Sequence, residues 1–472
     1  MPEPAPGSPA PGRADRPGPA GAGRADRDRL AQLYAREVTR FVAAHPRSAQ
    51  LHQQALARMP GGVPMSWMVK WPGPFPVYAD TAHGSHVTCV DGHEYVDLCL
   101  GDTGAMTGHS PRPTVDAVAA QLAQGVTMML PVADATVAAT ELTRRFGLPQ
   151  WQFTLSATDA NRHVIRYARH LTGRRKVLVA DYCYHGSVDE TFATLDPAGA
   201  VVPRRGAIGP PVPPSLTTAV VPFNDVDALE RALSAGDVAC VLMEPAMTNV
   251  GIVAPEPGYH EALRELTRRY DVLLVLDETH TWCAGPGGMT AADGLSPDVV
   301  TLGKAIGGGI PTGAFGMTAE LAGRITGSVE LADVDVGGVG GTLAGNALSM
   351  AAVRATLTEV LDDAAFATMT ARGAAWADGV AGVLDAVGAP WHVTRLGARA
   401  EYAFSPTPPR HGAQAADAED FELSRYLHLF ALNRGILLTP FHNMALMAPT
   451  TTAQDVARHT AVFGECLGEL FA

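Results

Sequence analysis

No stretch of this sequence approaches the ~20 consecutive apolar residues that a membrane-spanning helix needs, so no membrane contact is expected. Basic residues are not in excess either. Lys and Arg number 35 against 48 Asp and Glu, and the net charge of −13 speaks against nonspecific nucleic-acid binding, which depends on cations. Cysteines are few and scattered: Cys89, Cys99, Cys183, Cys240, Cys283 and Cys466 form no CxxC pair. They read as reduced, packed thiols, and no metal is expected. Residues 1–26 are mostly Pro, Gly, Ala, Arg and Asp, with almost no large apolar side chains. Such a segment cannot offset its ordering entropy and is expected to be a disordered tail. It also lacks the apolar core of a signal peptide, so the expected compartment is the cytoplasm.

What remains is ample. The 472 residues are 47% hydrophobic, enough for two or three domains. Helical periodicity is expected from about residue 28 and over 48–59. Strands are expected at 77–79, 87–90 and 95–98, with Asp91-Gly92 as the hairpin turn between the last two. From about 110 to 320 strands and helices alternate. Strands are expected at 151–155, 176–180, 218–222 and 239–243, and helices at 113–124, 133–146, 159–171, 226–235 and 259–270. The alternation predicts an α/β fold with a large, mostly parallel sheet covered on both faces, whose ligands gather at the carboxyl ends of the strands. Residues 345–388 look helical. A strand at 400–404 and a last helix at 452–470 suggest a small α+β unit. The expected division is 27–100 as the N-terminal segment of a small domain, 101–345 as the large domain, and 346–472 as C-terminal helices plus the rest of the small domain.

Two further aliphatic runs carry the chemistry. Val272–Leu276 leads into Asp277-Glu278, and 299–303 leads into Lys304, then Gly307-Gly308-Gly309. A carboxylate and an amine at the carboxyl ends of neighbouring strands are what pyridoxal phosphate chemistry requires. The amine forms a Schiff base with the aldehyde, and the carboxylate keeps the pyridine nitrogen protonated so that the ring withdraws electrons. Ser156-Ala157-Thr158 precede a helix whose amino end could seat a phosphate. Tyr184 follows a strand and could stack on a flat ring, and Asn249 follows Glu244-Pro245 near another strand end.

Taken in order, these motifs resemble the class III aminotransferase family of fold type I pyridoxal-phosphate enzymes, particularly its glutamate-1-semialdehyde aminomutase-like branch. The resemblance runs from about Leu51 to the C-terminus. The family's S-G-T-E-A resembles Ser156–Ala160, Y-H-G is Tyr184-His185-Gly186, and E-P-x-x-G-N resembles Glu244–Asn249. D-E-V is similar to Asp277-Glu278-Thr279, G-K-x-x-G-G-G to Gly303–Gly309, and G-T-x-x-G-N to Gly341–Asn346. The resemblance implies pyridoxal 5′-phosphate held by Lys304, with Asp277 on the ring nitrogen and Tyr184 stacked. It puts Asn249 near the ring hydroxyl, Thr279 under the ring, and Ser156, Ala157 and Thr158 at the phosphate. Thr342 would reach the phosphate of a neighbouring subunit, which makes the expected unit a homodimer with shared sites.

Departures bear on the substrate. Ala157 stands for a glycine, Asp159 for a glutamate and Thr279 for a valine. The arginine that relatives carry after D-E-V is absent from Thr281-Trp282-Cys283-Ala284, and Pro64–Trp71 lacks the carboxylate-binding arginine of the aminomutases. Arg399 is the expected replacement, with Arg395 and Lys70 next; His442 is expected at the mouth of the site and Trp67 in its aromatic wall. The expected activity is an aminotransferase moving an amino group between an amino acid or amine and a keto acid or aldehyde. An intramolecular aminomutase is the alternative, followed by racemisation, decarboxylation or lyase chemistry. A noncatalytic regulatory protein on the same fold is disfavoured by the joint presence of Asp277, Lys304 and Thr342.

Overall fold

The aliphatic runs have no polar alternation because they are covered on both faces. The computed structural model describes residues 26–330 and 337–471. The expected tail lies outside the described residues except for Asp26, which caps the first helix by accepting from Asp28 N–H. A seven-stranded sheet is built from β1 (Gln150–Thr154), β2 (Lys176–Ala180), β3 (Thr218–Val221), β4 (Val238–Met243), β5 (Leu273–Asp277), β6 (Val299–Leu302) and β7 (Gly313–Met317). Its spatial order is β1-β7-β6-β5-β4-β2-β3. The strands from β6 to β3 pair in parallel, whereas β7 runs antiparallel to both β6 and β1. Every residue of β4, β5 and β6 is buried.

Strand β7 escaped the sequence pattern. Gly-Ala-Phe-Gly-Met has no β-branched residue, and glycine is depleted from strands. Its glycines answer to neighbours. A Cβ on Gly316 would fall 2.5 Å from the Trp151 ring, and one on Gly313 would fall 2.4 Å from the Ser156 carbonyl. The helical region at 345–388 is also interrupted. Helix Ala347–Ala355 passes into a π-turn, Thr356–Val360, before Asp362 caps helix Asp363–Val387. The buried guanidinium of Arg145 takes up the carbonyls of Leu357 and Leu361 at 2.6 and 2.8 Å.

Residues that precede the seven-stranded sheet in sequence pair with residues that follow it. Strands Ala79–His83, His86–Cys89 and Glu94–Asp97 pair in that order, and Ile436–Leu437 closes the sheet in parallel with Glu94–Asp97. A three-stranded sheet, His392–Leu396, Arg399–Ala403 and Met444–Leu446, packs beside helix Asp363–Val387. All six cysteines are buried and unpaired. Among the described residues no helix is long and apolar enough to cross a membrane.

Candidate active site

The parallel pairing of β5 with β6 sets Asp277 beside Thr301 and brings the ends of both strands to one edge. The chain then leaves β6 through Gly303, where a Cβ would sit 2.7 Å from the Ala157 Cβ and 2.9 Å from its nitrogen. A side chain there would push the lysine loop away from the start of helix Ala157–Thr172. Lys304 follows at φ 49°, a left-handed conformation that a non-glycine residue adopts at a cost of about 1–2 kcal/mol. Its Nζ lies 2.7 Å from Asp102 Oδ2 and 2.5 Å from His280 Nε2.

Asp102 reaches the lysine from a strained turn. Leu100, Gly101, Asp102 and Thr103 all have positive φ, between 45° and 81°. Asp97 fixes the turn: its Oδ1 accepts from the N–H groups of Cys99 and Leu100 at 2.8 Å, and its Oδ2 meets His109 Nε2 at 2.7 Å. Burial pushes the Asp102 carboxyl up, but the facing Lys304 outweighs it and holds it well below the usual carboxylate range. Burial, then the charge of Lys304, drives the His280 imidazole far below its ordinary value, so it is neutral.

Asp277 is 3% exposed. Its Oδ2 accepts from His185 Nδ1 and Asn161 Nδ2, both at 2.9 Å, and its Oδ1 accepts from Thr279 N–H at 3.1 Å. Burial opposes its charge, but the hydrogen bond and charge of His185 prevail and lower its pKa. The neighbouring Glu278 is spent on structure, accepting from Thr281, Met289 and Thr290. The Thr279 hydroxyl is buried with no partner among the described residues.

Ser156 caps helix Ala157–Thr172 by accepting from Asp159 N–H at 3.2 Å. First-turn amides have no partner within a helix, so those of Ala157 and Thr158 are available to an anion. Tyr184 is 43% exposed, with His185 turned inward from it to Asp277. Asn249 uses one amide hydrogen on the Tyr182 carbonyl at 3.0 Å and keeps another. Thr342 stands exposed on the loop before helix Ala347–Ala355, without a side-chain hydrogen bond among the described residues. An amine, a buried carboxylate, free helix amides, an exposed aromatic and an orphaned hydroxyl together match the donor set that pyridoxal phosphate requires.

Arg399 is fully buried. It donates to Glu401 Oε2 at 3.1 Å and to the Thr248 carbonyl at 3.0 Å, and it approaches His280 Nδ1 at 3.4 Å. His442 Nδ1 meets the other Glu401 oxygen at 3.3 Å. Trp67 packs edge-on against Phe441, next to His442, with Lys70 over the same ring at 4.9 Å. Arg399, His442 and Trp67 thus belong to one connected wall. A groove of about 450 Å³ lined by Pro222–Asp227, Arg410 and His411 contains none of these residues.

Sequence reasoning missed Asp102, His280, Asn161 and His185 as contacts of Lys304 and Asp277. His280 had a signal, since it follows Asp277-Glu278-Thr279 at a strand end. Asp102 had only a glycine-rich turn around it.

Comparison with known proteins gives one consistent picture. The family model described as Aminotransferase class-III matches residues 68–462. A glutamate-1-semialdehyde 2,1-aminomutase from Methanosphaera stadtmanae is 31% identical over 415 residues, 87% of this chain and 95% of that protein. A crystal structure of a glutamate-1-semialdehyde-aminomutase from Pseudomonas aeruginosa PAO1 in complex with PMP has a TM-score of 0.92 and 49% identity, covering 94% of this chain and 99% of that one. An omega-transaminase from Sphaerobacter thermophilus follows at TM-score 0.82 and 30% identity, covering 90% and 98%.

Proposed function

Since this chain belongs to the class III aminotransferase family and has pyridoxal phosphate as its cofactor, we propose that it moves an amino group within one small molecule, as an aminomutase. The observation that carries the reading is Lys304 Nζ, set between Asp102 and a neutral His280 at the edge that also presents Asp277. The names of the relatives supply the intramolecular outcome. When bound, the cofactor supplies an electron sink that weakens the C–H bond beside the amine.

The chain supplies the rest. Lys304 anchors the cofactor and, once released, takes a proton from one carbon and returns it at another. Asp277 holds the ring nitrogen protonated. Tyr184, Thr279 and Asn249 hold the ring. Ser156, Ala157 and Thr158 hold the phosphate, together with Thr342 from a second copy of the chain. Arg399 is the proposed anchor for a substrate carboxylate, with Trp67 and His442 beside it.

A second reading, an aminotransferase using a separate keto acid or aldehyde, rests on a specific observation. The stretch 64–71 offers Lys70 and no arginine, and Arg399 already faces Glu401. The test is to supply glutamate-1-semialdehyde alone to the pyridoxamine form. Many turnovers to the product with its amine moved from carbon 2 to carbon 1, with no added acceptor, are expected. A strict requirement for an added keto acid or aldehyde would transfer the chain to the second reading.

A further inference from the structure

Three hydrogen bonds lead inward from Lys304. Its ammonium, which can only donate, meets His280 Nε2 at 2.5 Å. His280 Nδ1 lies 3.0 Å from Thr248 Oγ1. The Thr248 hydroxyl donates to Glu244 Oε2 at the end of β4. Because the ammonium donates to Nε2, the hydrogen sits on Nδ1, which faces Arg399 Nη1 at 3.4 Å without accepting from it, and the donors run one way: ammonium to Nε2, Nδ1–H to the hydroxyl, hydroxyl to the carboxylate. One of the links is a departure of this chain. Thr248 stands where the E-P-x-x-G-N motif has glycine, and His280 follows the D-E-V match.

We propose that Lys304, His280, Thr248 and Glu244 form a proton relay that strips the ammonium proton from Lys304 and stores it on Glu244. The proposal rests on Lys304 being the base of the reaction. An ammonium cannot take a proton from carbon, and Asp102, which accepts a hydrogen bond from Lys304 Nζ at 2.7 Å, does not take its proton, because it is itself held far into the ionised range. In the relay, one Lys304 N–H bond breaks as Nε2–H forms. Nδ1–H breaks as a new Thr248 O–H forms, and the original Thr248 O–H breaks as Glu244 Oε2–H forms. The outcome is a neutral amine, a neutral imidazole of the other tautomer and a protonated Glu244. No electrons change hands, and the reverse run returns the proton. His280 passes the proton rather than holding it, because burial, Lys304 and Arg399 all disfavour its cation.

Glu244 suits the terminus. It is 5% exposed, and its Oε1 has no partner among the described residues. The groups facing it are His185 from the loop after β2, Asp277 from β5, Arg399 from the C-terminal sheet and Thr248. Burial pushes its carboxyl up to about 7, against the lowering pull of His185, Thr248 and Arg399. It accepts a proton only when ionised, so the rate of carbon deprotonation should rise with pH through that value.

The test uses the full-length holoenzyme and follows exchange of the substrate C–H with deuterated solvent against pH. Wild type should show a rising limb near neutrality. Glu244→Gln and Thr248→Val should remove the limb and slow exchange at least about tenfold, Thr248→Ser should keep it, and free imidazole should partly restore exchange to His280→Ala. In the cofactor-free protein, an infrared band of a protonated carboxyl should titrate near neutrality and vanish in Glu244→Gln. A limb unchanged in both Glu244→Gln and Thr248→Val overturns the relay, as does a titrating band that survives Glu244→Gln. Borohydride labelling keeps the two readings apart. A label on Lys304 with an unmoved limb sinks the relay alone, whereas a wild-type label elsewhere sinks the function on which it rests.

Discussion

Replacing Asp277 with asparagine removes one charge and little volume. The carboxylate accepts hydrogen bonds from His185 and Asn161 at 2.9 Å and from Thr279 N–H at 3.1 Å, in a site 3% exposed. An amide oxygen can keep part of that set but cannot hold a proton on the ring nitrogen. A charge-assisted hydrogen bond is worth about 1.5–3 kcal/mol. At about 1.4 kcal/mol per decade, the upper figure is roughly a hundredfold in rate, and the weakened electron sink adds to it. Asp277→Asn should therefore slow the transfer of an amine to the cofactor at least about a hundredfold, measured by stopped-flow absorbance under single-turnover conditions. Asp277→Ala should in addition lose about 3–5 kcal/mol of stability, because it leaves His185 buried without its partner. A rate for Asp277→Asn within about threefold of wild type would refute the assignment of Asp277 to the ring nitrogen.

Arg399→Ala should raise KM for carboxylate substrates at least about tenfold and leave carboxylate-free amines little changed. It should also cost about 3–5 kcal/mol of stability by stranding Glu401. Adding Glu401→Gln should recover much of the stability without the carboxylate preference, read by denaturant unfolding and by KM. A KM change below about threefold for every carboxylate would end that role for Arg399. Sedimentation should find at least a dimer, and Thr342→Ala should weaken cofactor binding about tenfold; a fully active monomer would contradict the shared site.

How legible the molecule was in its sequence depends on where each signal lives. Strands β2, β4, β5 and β6 were legible because burial on both faces leaves unbroken aliphatic runs, and Asp277 and Lys304 were legible because a charge ending such a run is conspicuous. Strand β7 was not, because its glycines answer to Trp151 and Ser156, which no local pattern reports. Asp102 was hidden for a related reason: its left-handed turn is imposed by Asp97 and His109, and its partner Lys304 lies 202 residues away. Arg399 was singled out, but its pairing with Glu401 was not, although alternate residues of a strand share a face. The order of aminomutase and aminotransferase was not legible, since both need the same lysine and carboxylate.

Whether Lys304 carries the cofactor can be tested sharply, because the only lysines in the sequence are Lys70, Lys176 and Lys304. Lys176 pairs with Asp237 at the start of β2, and Lys70 lies over Phe441. The holoenzyme should be reduced with borohydride and digested, and its pyridoxyl group located by mass spectrometry. The label should fall on the peptide containing Lys304 and be absent from Lys304→Ala; a label on Lys70 or Lys176 in the wild-type protein would contradict the role of Lys304.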